Sequence, residues 1–122
     1  MKTALLLIAH GSRQAEANAD LHALTEQIRA LGQYAIVEAS FLELAEPAID
    51  VAGRRCVEKG AQRVILLPYF LSAGIHVRRD LQAHCESLAA EFADVTFVLA
   101  EPLGRHPLLC DVVLQRATEV DG

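Results

Sequence analysis

Two histidines lie where the sequence could perform metal or proton-transfer chemistry. His10 directly follows the apolar segment ALLLIA, and His76 follows the apolar segment RVILLP after a short intervening stretch. Imidazole titrates near neutral pH and binds first-row divalent metal ions, so each ring could hold a cation or accept a proton. A single histidine at a strand end is more often a turn residue, but two at corresponding positions favour a shared site.

Charged residues accompany both histidines along the chain. Glu43 and Glu46 follow the second apolar segment, and either could supply an oxygen ligand or a second proton acceptor. Glu46 could equally favour the start of a helix through its charge. Arg13, Arg78 and Arg79 could attract a polyanionic ligand, or they could be solvated residues at helix starts. The sequence leaves these alternatives open.

Apolar and amphipathic segments alternate along the chain, which is typical of strands followed by helices. A glycine stop at Gly32 ends the first helix, Pro47 begins the second, and the last helix ends near Val120. Strands 1 and 3 read as fully buried, because their apolar character is continuous. The four predicted strands are 4–9, 34–42, 63–68 and 95–100.

This alternation predicts one α/β domain over residues 1–122. Its parallel sheet should have the flavodoxin-like order 2-1-3-4, with helices on both faces. Ligands of such sheets bind beyond the carboxyl ends of the strands, where the winding direction reverses between strands 1 and 3. Adjacent strands are about 4.8 Å apart, so we expect His10 and His76 to converge on one ion. His106, after strand 4, lies at the same edge, and its role stays open.

Composition excludes several classes of protein. A hydrophobic content of 52% and a charged content of 22% exclude a disordered chain. The net charge of -5 and the lack of basic blocks argue against nucleic acid as a partner. No apolar run approaches the roughly 20 residues that span a bilayer, so we predict a cytoplasmic protein without membrane contact. We expect the three cysteines to be small buried hydrophobic residues: Cys56, Cys85 and Cys110.

Four stretches of the chain resemble the short class II tetrapyrrole chelatases of the CbiX/SirB type, the sirohydrochlorin cobaltochelatases and ferrochelatases. In order, they are LLLIAHGSR, SFLELAEPAI, LLPYFLSAGIHVRRDL and EPLGRHPLL. The resemblance implies a chelatase half and a lyase that inserts Co²⁺, Fe²⁺ or Ni²⁺ into sirohydrochlorin or a related tetrapyrrole, for cobalamin or siroheme biosynthesis. It implies no permanently bound cofactor, because the metal ion is a substrate.

The same resemblance implies roles for individual residues. His10 would be a metal ligand and the proton acceptor, and His76 would be the second ligand. Larger relatives carry two such domains across a cleft, so we expect a homodimer. Many relatives have proline where this chain has Ala73, and the histidine-rich tail and iron–sulfur cysteines of some relatives are absent here. The residues expected to contact the tetrapyrrole are Glu46, Leu71, Ser72, Ala73, Gly74, Ile75 and His76.

Two other functions fit part of the pattern. A histidine phosphatase also places His-Gly after its first strand, but it needs an arginine directly before that histidine, and this chain has Ala9. A non-catalytic carrier of metal or tetrapyrrole would use the same binding residues without accelerating insertion. A chelatase is the function that the sequence favours.

Overall fold

Eight elements alternate along the chain, and the computed structural model describes residues 1–122. The strands are β1 Thr3–Ala9, β2 Ile36–Phe41, β3 Arg63–Pro68 and β4 Thr96–Leu99. The helices are α1 Ala15–Leu31, α2 Ile49–Glu58, α3 Ile75–Glu91 and α4 Leu108–Val120. All strand pairs are parallel, in the order β2-β1-β3-β4. The predicted fold class and strand order are therefore confirmed.

Each face of the sheet has its own hydrophobic core. On one face, α2 covers β1 and β2 while α3 covers β4, and fourteen buried residues form the larger core. Gly53 lets α2 approach α3, because a Cβ at this position would lie 2.8 Å from Leu88 Cδ1. On the opposite face, α1 covers β1 and β2, and Leu21 belongs to a second core of six buried residues. Helices thus lie on both faces, as predicted.

On the side of the sheet that carries α1, strands β3 and β4 are covered only in part. Burial alternates along β3, with Val64 and Leu66 buried and Ile65 and Leu67 half-buried. The prediction that this strand is fully buried is wrong, because Ile65 and Leu67 lie at the margin of the second core and stay partly exposed. Continuous apolar sequence does not by itself report whether both faces of a strand have a partner.

The last helix lies apart from both cores. α4 has no buried residue and packs extensively against no strand or other helix. Cys110 on this helix is exposed, whereas Cys56 and Cys85 are buried. The expectation of buried cysteines is therefore wrong for Cys110, because its helix packs extensively against no other element of the chain.

Two elements begin two residues later than predicted, and the start of β1, the end of β2 and both ends of β4 differ from prediction by one residue. The second helix begins at Ile49 rather than at Pro47. The Pro47 carbonyl accepts a hydrogen bond from the Phe41 N–H at 2.9 Å, and Phe41 pairs with Ala48, so this stretch extends the sheet. The second strand begins at Ile36, two residues later than predicted. None of the helices combines the length and apolar character needed to cross a membrane.

Candidate functional site

The backbone at His10 is held by the segment that follows β2. The Leu42 N–H donates to the Ala9 carbonyl at 2.9 Å, and the Glu43 N–H donates to the His10 carbonyl at 3.0 Å. These bonds continue the β1–β2 ladder beyond the ends of both strands. The backbone position of His10 is therefore fixed by hydrogen bonds between the end of β1 and the segment that follows β2.

Gly11 makes this close approach possible. Its φ is +96°, and a Cβ at this position would lie 1.7 Å from the Glu43 carbonyl oxygen. Only glycine adopts this conformation without strain and leaves room for the neighbouring carbonyl. The glycine of the His-Gly pair thus sets the path of the chain behind the histidine.

The His10 ring stacks on Phe70, with ring centroids 4.3 Å apart and planes 30° apart. Phe70 follows β3, and the Tyr69 N–H extends the β1–β3 ladder by donating to the Ile8 carbonyl at 2.7 Å. The His10 side chain itself remains exposed. Its ring therefore lies against the segment that leads from β3 towards His76.

His76 occupies the second position of α3, after the N-cap residue Gly74. Its side chain is exposed. Both histidines lie at the carboxyl edge of the sheet, after the neighbouring strands β1 and β3, as the strand order predicts. The structure contains no cluster of three or more His, Cys, Asp or Glu side chains that could hold a metal ion.

Glu46 lines an open groove on the other side of β1, of about 550 Å³. Arg13 and His22 line the same groove, and the His22 ring lies edge-on to Phe41 at 5.5 Å between centroids. Asn18 and Ser12 form one wall of this groove. Two hydrogen bonds join the Asn18 side chain to the Ser12 backbone, at 2.9 Å and 2.7 Å.

The two glutamates predicted for the site lie in different places. Glu43 holds His10 through its backbone N–H. Glu46 faces the groove shared with Arg13. Both side chains are exposed.

The segment between β3 and α3 presents an apolar surface beside the histidines. Leu71 and Ile75 are 65% and 60% exposed, and Ser72 and Gly74 are also exposed while Ala73 is half-buried. The segment is braced by the residues that follow β4. The Leu103 N–H donates to the Phe70 carbonyl at 3.1 Å.

Three arginines occupy the grooves of this edge, and Arg105 among them was not predicted. Arg78 donates from Nε to the Ala73 carbonyl at 3.1 Å and pairs with Glu101 at 3.3 Å. Arg78 and Arg105 line a groove of about 320 Å³ with Ser72. Arg105 stands in the EPLGRHPLL stretch, which was the available signal for it. The third arginine is Arg13; Arg79 is exposed on α3.

Phe70 is a second residue that sequence reasoning missed. It stands in the LLPYFLSAGIHVRRDL stretch, but its contact with His10 depends on the packing of two loops. His106 and His84 each have a polar partner away from His10 and His76. The His106 Nδ1 accepts a hydrogen bond from the Leu108 N–H at 3.2 Å, and the His84 Nδ1 lies 3.2 Å from an Asp50 carboxylate oxygen.

The buried thiols contribute no ligand to this edge. Burial raises the pKa of Cys56 to about 12, and the nearby Glu38 carboxylate acts in the same direction. Burial also raises the pKa of Cys85. The thiolate is the form that binds metal or attacks a substrate, so both cysteines serve the core.

Comparison with known proteins agrees with this geometry. The CbiX family model matches residues 4–120. The chain belongs to the CbiX family. The family predicted from the four sequence stretches is therefore confirmed.

Two curated relatives of this CbiX-family chain are chelatases by name. The chloroplastic sirohydrochlorin ferrochelatase of Arabidopsis thaliana is 38% identical over 92% of this chain and 50% of its own length. The sirohydrochlorin cobaltochelatase of Priestia megaterium is 34% identical over 96% of this chain and 38% of its own length. The chain thus spans half or less of the length of these two proteins.

A solved structure of similar length has the same fold. A CbiX protein from Marinobacter aquaeolei VT8 superposes with a TM-score of 0.82 and 33% identity. The match covers 96% of this chain and 95% of the other. A CbiX-family unit of this size therefore also occurs in that protein.

Proposed function

We propose that this chain is a sirohydrochlorin chelatase, an enzyme that inserts Co²⁺, Fe²⁺ or Ni²⁺ into sirohydrochlorin or a related tetrapyrrole for cobalamin or siroheme biosynthesis. The observation that carries the proposal is His10, exposed at the carboxyl edge of β1 and stacked on Phe70. The family of the chain and the names of its relatives support the same chemistry.

In this proposal the two histidines act on the ion and on the pyrrole protons. A divalent ion that enters the macrocycle replaces two N–H protons, so charge balance requires a proton acceptor beside the ion. His10 would accept one of these two protons and water at this exposed edge would accept the other, while the Phe70 ring would limit the orientations open to the His10 imidazole. Together with His76 it would hold the ion through few bonds, which suits a substrate that must be released.

The substrate would lie across the grooves and loops of the same edge. Apolar Leu71 and Ile75 would meet the face of the macrocycle, while Ser72, Ala73 and Gly74 bring the backbone close to it. The carboxylates of the tetrapyrrole would pair with arginines at its rim. Glu46 would contact the tetrapyrrole beside Arg13.

We infer that residues 1–122 form one chelatase unit that works as a homodimer. Each chain supplies two histidines and no larger ligand cluster, so a second copy facing the first would enclose the substrate. The Arabidopsis relative, about twice as long, leaves room for a second unit of this size. The cytoplasm stays our prediction for its compartment; that relative is chloroplastic.

The proposal is tested by measuring the rate of metal insertion from the change in absorbance of the tetrapyrrole. Purified protein is mixed with sirohydrochlorin and with Co²⁺, Fe²⁺ or Ni²⁺ in turn, and the rate is compared with that of the same mixture without protein. Acceleration with at least one ion supports the proposal. Binding of metal or tetrapyrrole with no acceleration for any ion would contradict it and identify a carrier.

A further inference from the structure

One glutamate lies among the arginines of the candidate site. Arg78 and Arg105 line the groove of about 320 Å³ beside Ser72, and Glu101, which follows β4, is the one acidic residue that lines it. The groove thus carries two positive side chains and one negative side chain, on a chain whose net charge is -5. The groove therefore favours an anionic ligand, and Glu101 is the anion that the chain itself supplies.

The contact between Arg78 and Glu101 is weak. A single hydrogen bond of 3.3 Å joins Arg78 Nη1 to a Glu101 carboxylate oxygen, and the two side chains are 54% and 85% exposed. Exposed ion pairs contribute little to stability, because water screens both charges. A carboxylate that approaches Nη1 and Nη2 together makes two parallel hydrogen bonds to the same guanidinium. Such a ligand can displace Glu101 at little cost to the fold.

Arg78 is already oriented for this exchange by a second contact. Its Nε donates to the Ala73 carbonyl at 3.1 Å, and this hydrogen bond does not involve Glu101. The guanidinium is planar and presents its donors in a fixed arrangement, so the bond from Nε also limits the directions of Nη1 and Nη2. Arg78 therefore keeps its orientation when Glu101 leaves.

The pair formed by Arg78 and Glu101 also separates two cavities. Besides the groove, a cavity of about 270 Å³ lies between the first half of α3 and the end of β4. Arg78, Glu101 and Pro102 are the residues that line both spaces. Three of the apolar residues that line the second cavity are Pro68, Leu81 and Leu99. When Glu101 turns to solvent, the two spaces can take up one short aliphatic chain that ends in a carboxylate.

We infer that Glu101 is a built-in counterion that occupies Arg78 until a carboxylate arm of the substrate replaces it. The arm binds Arg78 through its carboxylate and places its methylene groups against the apolar residues of the second cavity. Because a ligand must compete with Glu101, the groove selects a carboxylate that makes two hydrogen bonds over a simple anion such as chloride. The inference rests on the proposed function, since the arm belongs to the tetrapyrrole.

Fluorescence titration with metal-free sirohydrochlorin measures Kd without turnover. Glu101→Gln removes the charge and keeps the shape of an exposed side chain, and we expect it to lower Kd by about two- to fivefold, the contribution of an exposed ion pair. Glu91→Gln is the matched control, because Glu91 pairs with Arg54 at 3.0 Å at the far end of α3, and its Kd should equal that of wild type. An unchanged or raised Kd for Glu101→Gln would overturn the inference, since Glu101 would then brace the groove rather than compete for it.

A double-mutant cycle separates occupation of Arg78 from simple repulsion of the substrate. In an Arg78→Ala background, Glu101→Gln should leave Kd unchanged, because the counterion has lost its partner. The same fall in Kd in that background would show that Glu101 only repels an anion, and the inference would be wrong.

The titration and the metal-insertion assay together distinguish the inference from the proposed function. Binding that Glu101→Gln tightens, without metal insertion by wild type, would contradict the proposed function alone. Metal insertion by wild type, with an unchanged Kd for Glu101→Gln, would contradict the inference alone. Failure of both proteins to bind sirohydrochlorin would contradict both.

Discussion

The ends of β1 and β3 carry the two histidines in very different surroundings. At β1, His10 is held through its backbone by Glu43 and through its ring by Phe70. At β3, His76 stands exposed on the first turn of α3, after a segment whose side chains mostly face solvent. Under the proposed function, His10 would be the positioned base and His76 the more adaptable contact.

The largest effect should come from removing the positioned ring. We expect His10→Ala to lower kcat for metal insertion by about 10²- to 10⁴-fold, the usual contribution of a general base. His76→Ala should cost less, about tenfold, because a water molecule can replace one weak ligand. Stopped-flow absorbance measures both variants. An equal loss for the two would remove the proposed division of roles.

Two glycines that differ in their surroundings offer the second test. Gly11 follows His10, and Gly74 precedes the helix that carries His76. Gly11→Ala must accept a φ of +96° and a contact 1.7 Å from the Glu43 carbonyl. We expect its free energy of unfolding to fall by about 2–4 kcal/mol. Gly74→Ala meets no atom within 4 Å at a negative φ, so its stability should change little. Urea unfolding compares them, and similar losses would contradict the difference between the two ends.

The ring stack gives a smaller effect. Phe70→Ala should lower kcat by about 3- to 10-fold, since aromatic pairs contribute about 0.5–1.5 kcal/mol beyond their burial. Phe70→Tyr keeps an aromatic ring and should retain most of the rate. The comparison uses kcat at saturating tetrapyrrole, and full activity of Phe70→Ala would show that the stack does not position His10.

The exposed arginines of the site edge, called here the rim, should have a weaker effect on the reaction, mainly through binding of the substrate. Arg78→Ala and Arg105→Ala should each raise KM for sirohydrochlorin several-fold with little change in kcat. Because exposed charges are screened by salt, the increase should shrink between low and high ionic strength. Arg54→Ala, on α2 and paired with Glu91, is the control. A KM that rises equally in this control would exclude a specific role for the rim.

The buried thiol of Cys56 provides a test of how the stability of the core depends on pH. Burial raises the pKa of Cys56 from 9.0 to about 12. As pH rises between these values, the unfolded chain loses the thiol proton while the folded chain keeps it, so the free energy of unfolding should fall with pH. Cys56→Ala should show a smaller decrease in urea titrations at about pH 8 and pH 10.5. An equal slope in both proteins would exclude this thiol as the cause.

Much of the fold and part of the site could be predicted from local pattern. Apolar runs and helical spacing located all eight elements, because each period follows from the geometry of a strand or a helix. Strand order then placed His10 and His76 at one edge. The start of α2 was misplaced because proline is typical of the first position of a helix, whereas the Pro47 carbonyl here accepts a hydrogen bond from the Phe41 N–H and continues the sheet.

The sequence by itself therefore determined the family, the sheet and the edge at which the histidines stand. Only the tertiary structure decided that His10 stacks on Phe70, that Arg105 joins Arg78, and that α4 leaves the sheet. Periodicity describes one element at a time, whereas these features depend on the distance between loops that are far apart along the chain. The same limit explains Cys110, which has the pattern of a core residue but lies on a helix that packs extensively against no other element.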